Sequence, residues 1–222
     1  MVYLLDKEEV GFPDPRLGEE DGLLAVGGAL TPEWLLTAYS YGIFPWYDFK
    51  HSEEVEWWCP MQRFVIFPNE IHISHSLRQQ LRKDDYEVTI NQAFDKVIRQ
   101  CSKVDGRNKH VGAWLGKDII NAYTELHRLG FASSVEVWQK DAHGETSLAG
   151  GLYGVTIGKN FFGESMFSLI PGGSKIALVA LARLMRDSGG LIDCQFETPH
   201  LKSMGGRIID YDEYLTYLQE DK

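Results

Sequence analysis

Two apolar stretches of this chain each carry an acidic residue whose side chain could take part in chemistry. The first is Phe161–Ser168 (FFGESMFS), with Glu164 at its centre. The second is Leu191–Phe196 (LIDCQF), in which Asp193 and Gln195 lie two residues apart. Burying an unpaired carboxylate costs several kcal/mol or more, so each acid needs a partner or a pocket. The two stretches together predict one site built from two strands.

The sequence pattern allows two roles for each of these side chains. Glu164 either pairs with an internal Arg or Lys, or faces a pocket into which a cation arrives. On a strand, Asp193 and Gln195 would point to the same face. An Asp that accepts from the Gln amide would orient it, and the Gln carbonyl oxygen could then accept from an incoming amine. The alternative is a structural hydrogen bond at the end of a sheet.

Other reactive residue types lack the companions that their chemistry needs. Ser165, Ser168 and Cys194 have no recognisable base, so a covalent nucleophile is not expected. His72 and His75 have no third ligand nearby in the sequence, and a metal site is therefore not expected.

A hairpin and a helix must position the two stretches. Alternating and apolar runs predict strands over Ser147–Ile157 and Phe161–Ser168, joined by a turn at 158–160. A helix is predicted over Lys175–Ser188, followed by a buried strand over Leu191–Phe196. A long antiparallel meander followed by a crossover helix is the layout of GCN5-related acyltransferases, a mixed α/β class.

The remaining helices have clear start signals or apolar spacing. Thr31 followed by Pro32 predicts an N-cap, and Ser74 predicts another, ahead of a helix over Leu77–Lys83. Helices are also predicted over Asp118–Leu129 and Tyr211–Gln219.

The composition indicates an acidic, reduced, globular protein. The chain has 222 residues, a net charge of −10 and three widely spaced cysteines. No apolar run approaches the roughly 18 residues of a membrane span, and a cytoplasmic setting is expected. The acidity argues against general nucleic-acid affinity. Residues 62–109 nevertheless carry nine basic and six acidic side chains, which form either a phosphate-binding face or a solvated helix face.

An ordered set of motifs resembles the leucyl/phenylalanyl-tRNA–protein transferases. Each motif alone is weak, but they cover nearly the whole chain in the order of the family. They are GLLAVGG (22–28), GIFPW (42–46), WWCP (57–60), SVEVW (134–138), GGLYG (150–154), GESMFS (163–168), SK (174–175) and IDCQ (192–195).

The resemblance implies a fold and an activity. The fold would be a small N-terminal domain, residues 1–61, followed by a GCN5-related acyltransferase-like domain with a mixed sheet, residues 62–222. The activity would be transfer of Leu or Phe, and less readily Met, from aminoacyl-tRNA to proteins that begin with Arg or Lys. The product would be a signal for proteolysis. The resemblance implies no cofactor, no metal and no membrane, and nothing demands more than a monomer.

The resemblance also implies roles for individual residues. Glu164, Asp193 and Gln195 would form the polar catalytic centre. Trp46 and Trp114 would hold the 3′-terminal adenosine. Arg78, Arg82 and Lys83 would meet the acceptor stem of the tRNA. The transferred side chain would lie in a pocket of Leu152, Phe161, Met166, Leu181 and Ile192.

Two other functions remain alternatives. One is a non-catalytic protein that binds basic N-termini through Glu164. The other is an acyltransferase of the same fold that uses acyl-CoA, against which stands the lack of an Arg/Gln-x-x-Gly-x-Gly/Ala pyrophosphate loop.

Overall fold

Two β-sheets organise the chain in a computed structural model, which describes residues 1–46, 54–83, 85–105, 116–141 and 143–219. The smaller sheet lies in the first sixty residues and has the strand order β1-β2-β4-β3. Its strands are β1 (Tyr3–Leu5), β2 (Leu23–Gly27), β3 (Phe44–Trp46) and β4 (Glu56–Trp58). These short strands were not predicted, because three to five residues give too little alternation to recognise.

The larger sheet has seven strands in the order β11-β5-β10-β9-β8-β7-β6. Strands β6 to β9 form an antiparallel meander, and β10 returns parallel to β9. This is the predicted meander with a crossover, and the mixed α/β class is confirmed. The strands are β5 (Gln62–Ile66), β6 (Tyr86–Ile90), β7 (Ala132–Lys140), β8 (Thr146–Ile157), β9 (Asn160–Ser168), β10 (Ile192–Asp193) and β11 (Arg207–Asp210).

Seven helices of the described residues cover the sheets. The N-caps Thr31 and Ser74 are confirmed, since each side chain accepts a hydrogen bond from the backbone N–H three residues on. The crossover helix begins two residues earlier than predicted and ends at Leu184. The helices are α1 (Pro32–Ser40), α2 (His75–Gln80), α3 (Phe94–Asp105), α4 (Lys117–Arg128), α5 (Gly173–Leu184), α6 (Pro199–Ser203) and α7 (Tyr211–Gln219).

Two apolar clusters lie on opposite faces of the large sheet. One packs α1, α3, α4 and α7 against the sheet, together with the small sheet. The other packs α2, α5 and α6 against the opposite face. Successive residues of β9 alternate between them, with Phe161 in the second cluster and Phe162 in the first. Both faces are covered, which explains why the central strands read as almost continuously apolar.

Candidate functional site

A gap between two parallel strands creates the main cavity. Strands β9 and β10 pair only at Phe161 with Ile192 and at Phe162 with Asp193. Beyond these pairs β9 continues along β8, whereas the chain after Asp193 turns to hydrogen-bond with Phe64 of β5. The two strands therefore diverge. A cavity of about 650 Å³ occupies the space between them.

A β-bulge in β9 shapes one wall of this cavity. Tyr153 of β8 pairs with Ser165 and Gly154 pairs with Gly163, so Glu164 is the extra residue. A bulge adds one residue to a strand and re-aims the side chains around it. Gly154 permits the arrangement, because a Cβ there would lie 2.1 Å from the carbonyl oxygen of Phe162.

The bulge changes which residues share a face. Phe161 and Met166 are five positions apart, an odd number that would place them on opposite faces of a regular strand. With the bulge, both line the cavity and pack in the same apolar cluster. All five side chains that the resemblance assigns to the pocket line this cavity. They are Leu152, Phe161, Met166, Leu181 and Ile192, and Leu178, which was not predicted, joins them.

Glu164 is held in the cavity wall by uncharged donors. Its carboxylate accepts hydrogen bonds from the hydroxyls of Tyr39 at 2.6 Å and Tyr123 at 2.9 Å. The side-chain nitrogen of Gln195 donates a third, at 3.1 Å. Within the described part of the chain Glu164 forms no ion pair. The first explanation for this acid, an internal basic partner, is therefore wrong.

The surroundings of Glu164 alter its acidity. Burial raises the pKa of the carboxyl to about 7, although the hydrogen bonds from Tyr39 and Tyr123 oppose the rise. Burial and the adjacent carboxylate also raise the pKa of both tyrosines, so their hydroxyls remain protonated donors. Glu164 therefore titrates near neutral pH.

Asp193 lies behind the cavity wall in a buried ion pair. Its two carboxylate oxygens accept from the guanidinium of Arg63 at 2.7–3.0 Å, and one also accepts from the Tyr214 hydroxyl at 2.6 Å. Asp193 and Arg63 are both 0% exposed. The guanidinium lies over the rings of Phe44 and Tyr214, at 4.7 and 4.9 Å from their centroids.

The predicted geometry of Asp193 and Gln195 was wrong. Strand β10 ends at Asp193, and Gln195 has a left-handed φ of 63°, so the two residues do not alternate on one strand. Asp193 accepts from the backbone N–H of Gln195 at 2.8 Å, and it is Glu164 that holds the Gln195 side chain. Gln195 lines the cavity, whereas Asp193 does not. Asp193 therefore fixes the backbone of Gln195.

Of the two tryptophans assigned to the 3′-terminal adenosine, only Trp46 lies among the described residues. Trp46 is half-buried at the end of β3 and lines the cavity, with Phe196 at 5.4 Å between ring centroids. Its position puts an aromatic face beside the apolar pocket. Trp114 lies outside the described residues.

The three predicted stem contacts lie away from the cavity. Arg78 is on α2, and Arg82 and Lys83 follow in the turn after it, although the helix was predicted to continue through them. All three side chains are exposed. The Gln80 side chain, in the same segment, donates to the carbonyl oxygen of Pro171 just before α5. The Arg78 guanidinium donates to the carbonyl oxygen of Ile73 at 3.5 Å.

Several residues of the site were missed by sequence reasoning. Arg63, Tyr39, Tyr123 and Tyr214 surround the two acids but lie far from them in sequence. For Arg63 the available signal was its position directly before the apolar run Phe64–Ile66. His200 also lines the cavity, and its buried Nε2 has no hydrogen-bond partner among the described residues. Burial, with a smaller effect of Lys175, lowers the pKa of His200.

Known proteins resemble this chain along nearly its full length. The family model "Leucyl/phenylalanyl-tRNA protein transferase" matches residues 65–219, and the model of the N-terminal domain of the same family matches residues 28–61. The chain belongs to this family. It is an aminoacyltransferase, and it transfers an aminoacyl group from tRNA to protein.

Individual relatives agree with the family model. A leucyl/phenylalanyl-tRNA–protein transferase of Hydrogenovibrio crunogenus is 46% identical over 99% of this chain and 84% of its own length. One of Nitrosomonas eutropha is 52% identical over 89% and 82%, respectively. Among solved structures, FemX is similar with a TM-score of 0.49 and 11% identity, over 81% of this chain and 66% of that one. A likeness that weak carries no functional argument.

No helix in the described part of the chain is long and apolar enough to cross a membrane. Nor do three His, Cys, Asp or Glu side chains of the described residues come together as a set of metal ligands.

Proposed function

We propose that this enzyme transfers Leu or Phe, and less readily Met, from aminoacyl-tRNA to the N-terminal Arg or Lys of acceptor proteins. The observation that carries the proposal is the cavity between β9 and β10. Leu, Phe, Met and Ile side chains form one part of its wall, and Glu164 and Gln195 form another. An apolar amino-acid side chain and a cationic N-terminus can thus meet in one space. The modified N-terminus would mark the acceptor for proteolysis.

The apolar part of the cavity supports the choice of transferred residue. Its six apolar side chains suit a transferred side chain that is not branched at Cβ, such as that of Leu, Phe or Met. They provide no partner for a charged side chain. A pocket of this kind discriminates by roughly 1–3 kcal/mol per methylene. Competition between Leu-, Phe-, Ile- and Val-tRNA should show clear preference for the first two. Equal use of Val or Ile would contradict the pocket assignment.

The polar part supports the choice of acceptor. Glu164 carries a carboxylate into the cavity wall without an internal ion pair in the described chain, so a cation can approach it. Gln195 Oε1 accepts no hydrogen bond from the described residues, and it can accept one from the attacking amine. An acceptor that begins with Arg or Lys brings both an ammonium and a second cation to this place.

A direct assay tests the function. Radiolabelled Leu or Phe on tRNA is mixed with the enzyme and a protein that begins with Arg, and label is followed into protein. An otherwise identical protein that begins with Ala is the control. Transfer to the first and little to the second is expected. Binding of the Arg protein without transfer would favour the non-catalytic alternative, and transfer from acyl-CoA instead would favour the other one.

Trp46 is proposed to stack on the 3′-terminal adenosine, with Trp114 as its partner. Stacking of an aromatic side chain on a base is worth about 1–3 kcal/mol. Trp46→Ala should therefore raise KM for aminoacyl-tRNA about ten- to a hundredfold, with a smaller change in kcat. Trp46→Phe keeps an aromatic face and should lose less. Trp58→Ala is the matched control, because Trp58 lies beside Trp46 but does not line the cavity.

Arg78, Arg82 and Lys83 are proposed to contact the phosphates of the acceptor stem. Each phosphate contact steepens the salt dependence of binding by somewhat less than one unit of log K against log salt. Replacing all three by Ala should lower the slope by about two to three. Replacing the exposed Lys7, Arg128 and Arg186 removes the same charge elsewhere and should change the slope little. Equal effects of both triple variants would argue against a local stem contact.

We place the boundary between the small N-terminal domain (1–61) and the catalytic domain (62–222) at the start of β5. The enzyme would act as a monomer in the cytoplasm, where aminoacyl-tRNA and nascent proteins are both present.

A further inference from the structure

The reaction needs a proton acceptor inside the cavity. An α-ammonium has a pKa of about 8, so at neutral pH it must lose a proton before its nitrogen can attack. Gln195 cannot take that proton, because a carboxamide is not a base at these pH values. Asp193 cannot be reached, since it is 0% exposed and Arg63, Tyr214 and the Gln195 N–H occupy its oxygens.

We infer that Glu164 takes the proton from the acceptor's α-ammonium, and that Tyr39 and Tyr123 are positioning residues that hold its carboxylate for this step. The inference rests on the proposed transfer to a protein N-terminus. Of the two acids at this site, Glu164 alone lines the cavity. Its contact with the Gln195 amide nitrogen at 3.1 Å places proton acceptor and amine-binding group side by side.

The step balances without a co-reactant. The ammonium gives one proton to Glu164, and the freed nitrogen lone pair forms a bond to the ester carbonyl carbon. The bond from that carbon to the ribose oxygen breaks, and the ribose oxygen takes the second proton from the nitrogen. Glu164 then releases its proton to water. The products are a peptide bond, a free tRNA 3′ end and one proton in solution.

The groups around Glu164 suit this exchange. Tyr39 from α1 and Tyr123 from α4 donate to different oxygens of the carboxylate, and the two hydroxyls lie 2.5 Å apart. Two charges act on Glu164: Asp193 raises its pKa and Arg63 lowers it. Asp193 and Arg63 carry opposite charges, so their effects on the pKa of Glu164 oppose each other. His200 lines the same cavity. Proton transfer is most effective when the acceptor's pKa lies near the working pH, and burial brings Glu164 to about 7.

The test compares wild type with Glu164→Gln over pH 6–9. Transfer of Phe from tRNA to a protein that begins with Arg is measured as a single-turnover rate constant. The rate of spontaneous ester hydrolysis is subtracted. At pH 7 the variant should be slower by about tenfold, because only about one in ten α-amino groups with a pKa of about 8 is neutral there. Its deficit should shrink as pH approaches 9, because the amine is then already neutral. A deficit that stays constant with pH would overturn the inference and leave Glu164 as a simple cation-binding group.

Tyr39→Phe and Tyr123→Phe provide a second readout that does not depend on losing the carboxylate. Each removes a hydrogen bond that lowers the pKa of Glu164, so the acid limb of the kcat profile should move to higher pH. An unshifted limb in both variants would overturn the inference. Failure of wild type itself to transfer would instead overturn the proposed function, so the two failures are distinguishable. Thermal melts check that each variant is folded.

Discussion

Asp193→Ala is expected to lower the free energy of unfolding by about 3–5 kcal/mol, the cost of leaving one member of a buried ion pair without its partner. Among the described residues, Arg63 would then keep its charge at 0% exposure beside the Tyr214 hydroxyl and the rings of Phe44 and Tyr214. Urea unfolding of the purified variant measures the loss. Arg63→Ala should lose a comparable amount, because it leaves the carboxylate unpaired.

A double variant separates stability from positioning. Arg63→Met with Asp193→Leu replaces the pair by apolar side chains, and such replacements are often close to neutral in stability. The double variant should therefore unfold at higher urea than either single alanine variant. It should still transfer poorly, because the Gln195 N–H has lost its acceptor and the left-handed backbone is no longer held.

Asp193→Asn separates the charge of Asp193 from its role as a hydrogen-bond acceptor. An Asn oxygen can still accept from the Gln195 N–H, but the charge that matches Arg63 is gone. Turnover should fall far more than tRNA binding, since Asp193 acts through Gln195 and not on the tRNA. An alanine variant within about 1 kcal/mol of wild type, or an equal loss of turnover and tRNA binding in Asp193→Asn, would contradict this role.

Deletion of Glu164 is expected to abolish transfer, although the residues on either side of it should keep their faces of β9. Without the extra residue of the bulge, β9 would pair regularly with β8, because Gly163 would still lie opposite Gly154 and Ser165 opposite Tyr153. Met166 would then lie four positions from Phe161 and stay in the cavity wall, and Phe167 would stay in the opposite apolar cluster. The hydroxyls of Tyr39 and Tyr123 would lose their acceptor, and a buried polar group left unsatisfied costs about 1–3 kcal/mol.

Glu164→Ala is the matched control for the deletion. It removes the same carboxylate but keeps the residue count, so β9 should keep its register and the protein should stay folded while transfer falls. Melting temperature and near-UV circular dichroism compare the two variants, which should be similar in stability. A deletion variant that is far less stable than Glu164→Ala would show that β9 does not keep its register without the bulge residue.

The sequence predicted the scaffold of the site better than its interior. Strong alternation and helix caps placed β8, β9, α4 and α5 within a few residues, because those signals are local. The strand over Leu191–Phe196 was too long, since an apolar run does not reveal that Gln195 adopts a left-handed conformation. The partners of the acids could not be predicted at all. Tyr39, Arg63 and Tyr214 meet Glu164 and Asp193 through tertiary packing that no local pattern encodes.

The hydrogen bonds at the polar centre join residues that are remote along the chain, and this has a kinetic consequence. Tyr39 reaches Glu164 across 125 positions and Arg63 reaches Asp193 across 130. Contacts of such separation form late, because the entropy of closing long loops must be overcome before they stabilise anything. A partly folded chain therefore has helices and hairpins but no competent centre. Transferase activity should appear during refolding only with the last cooperative phase, so incompletely folded molecules would not modify the proteins around them.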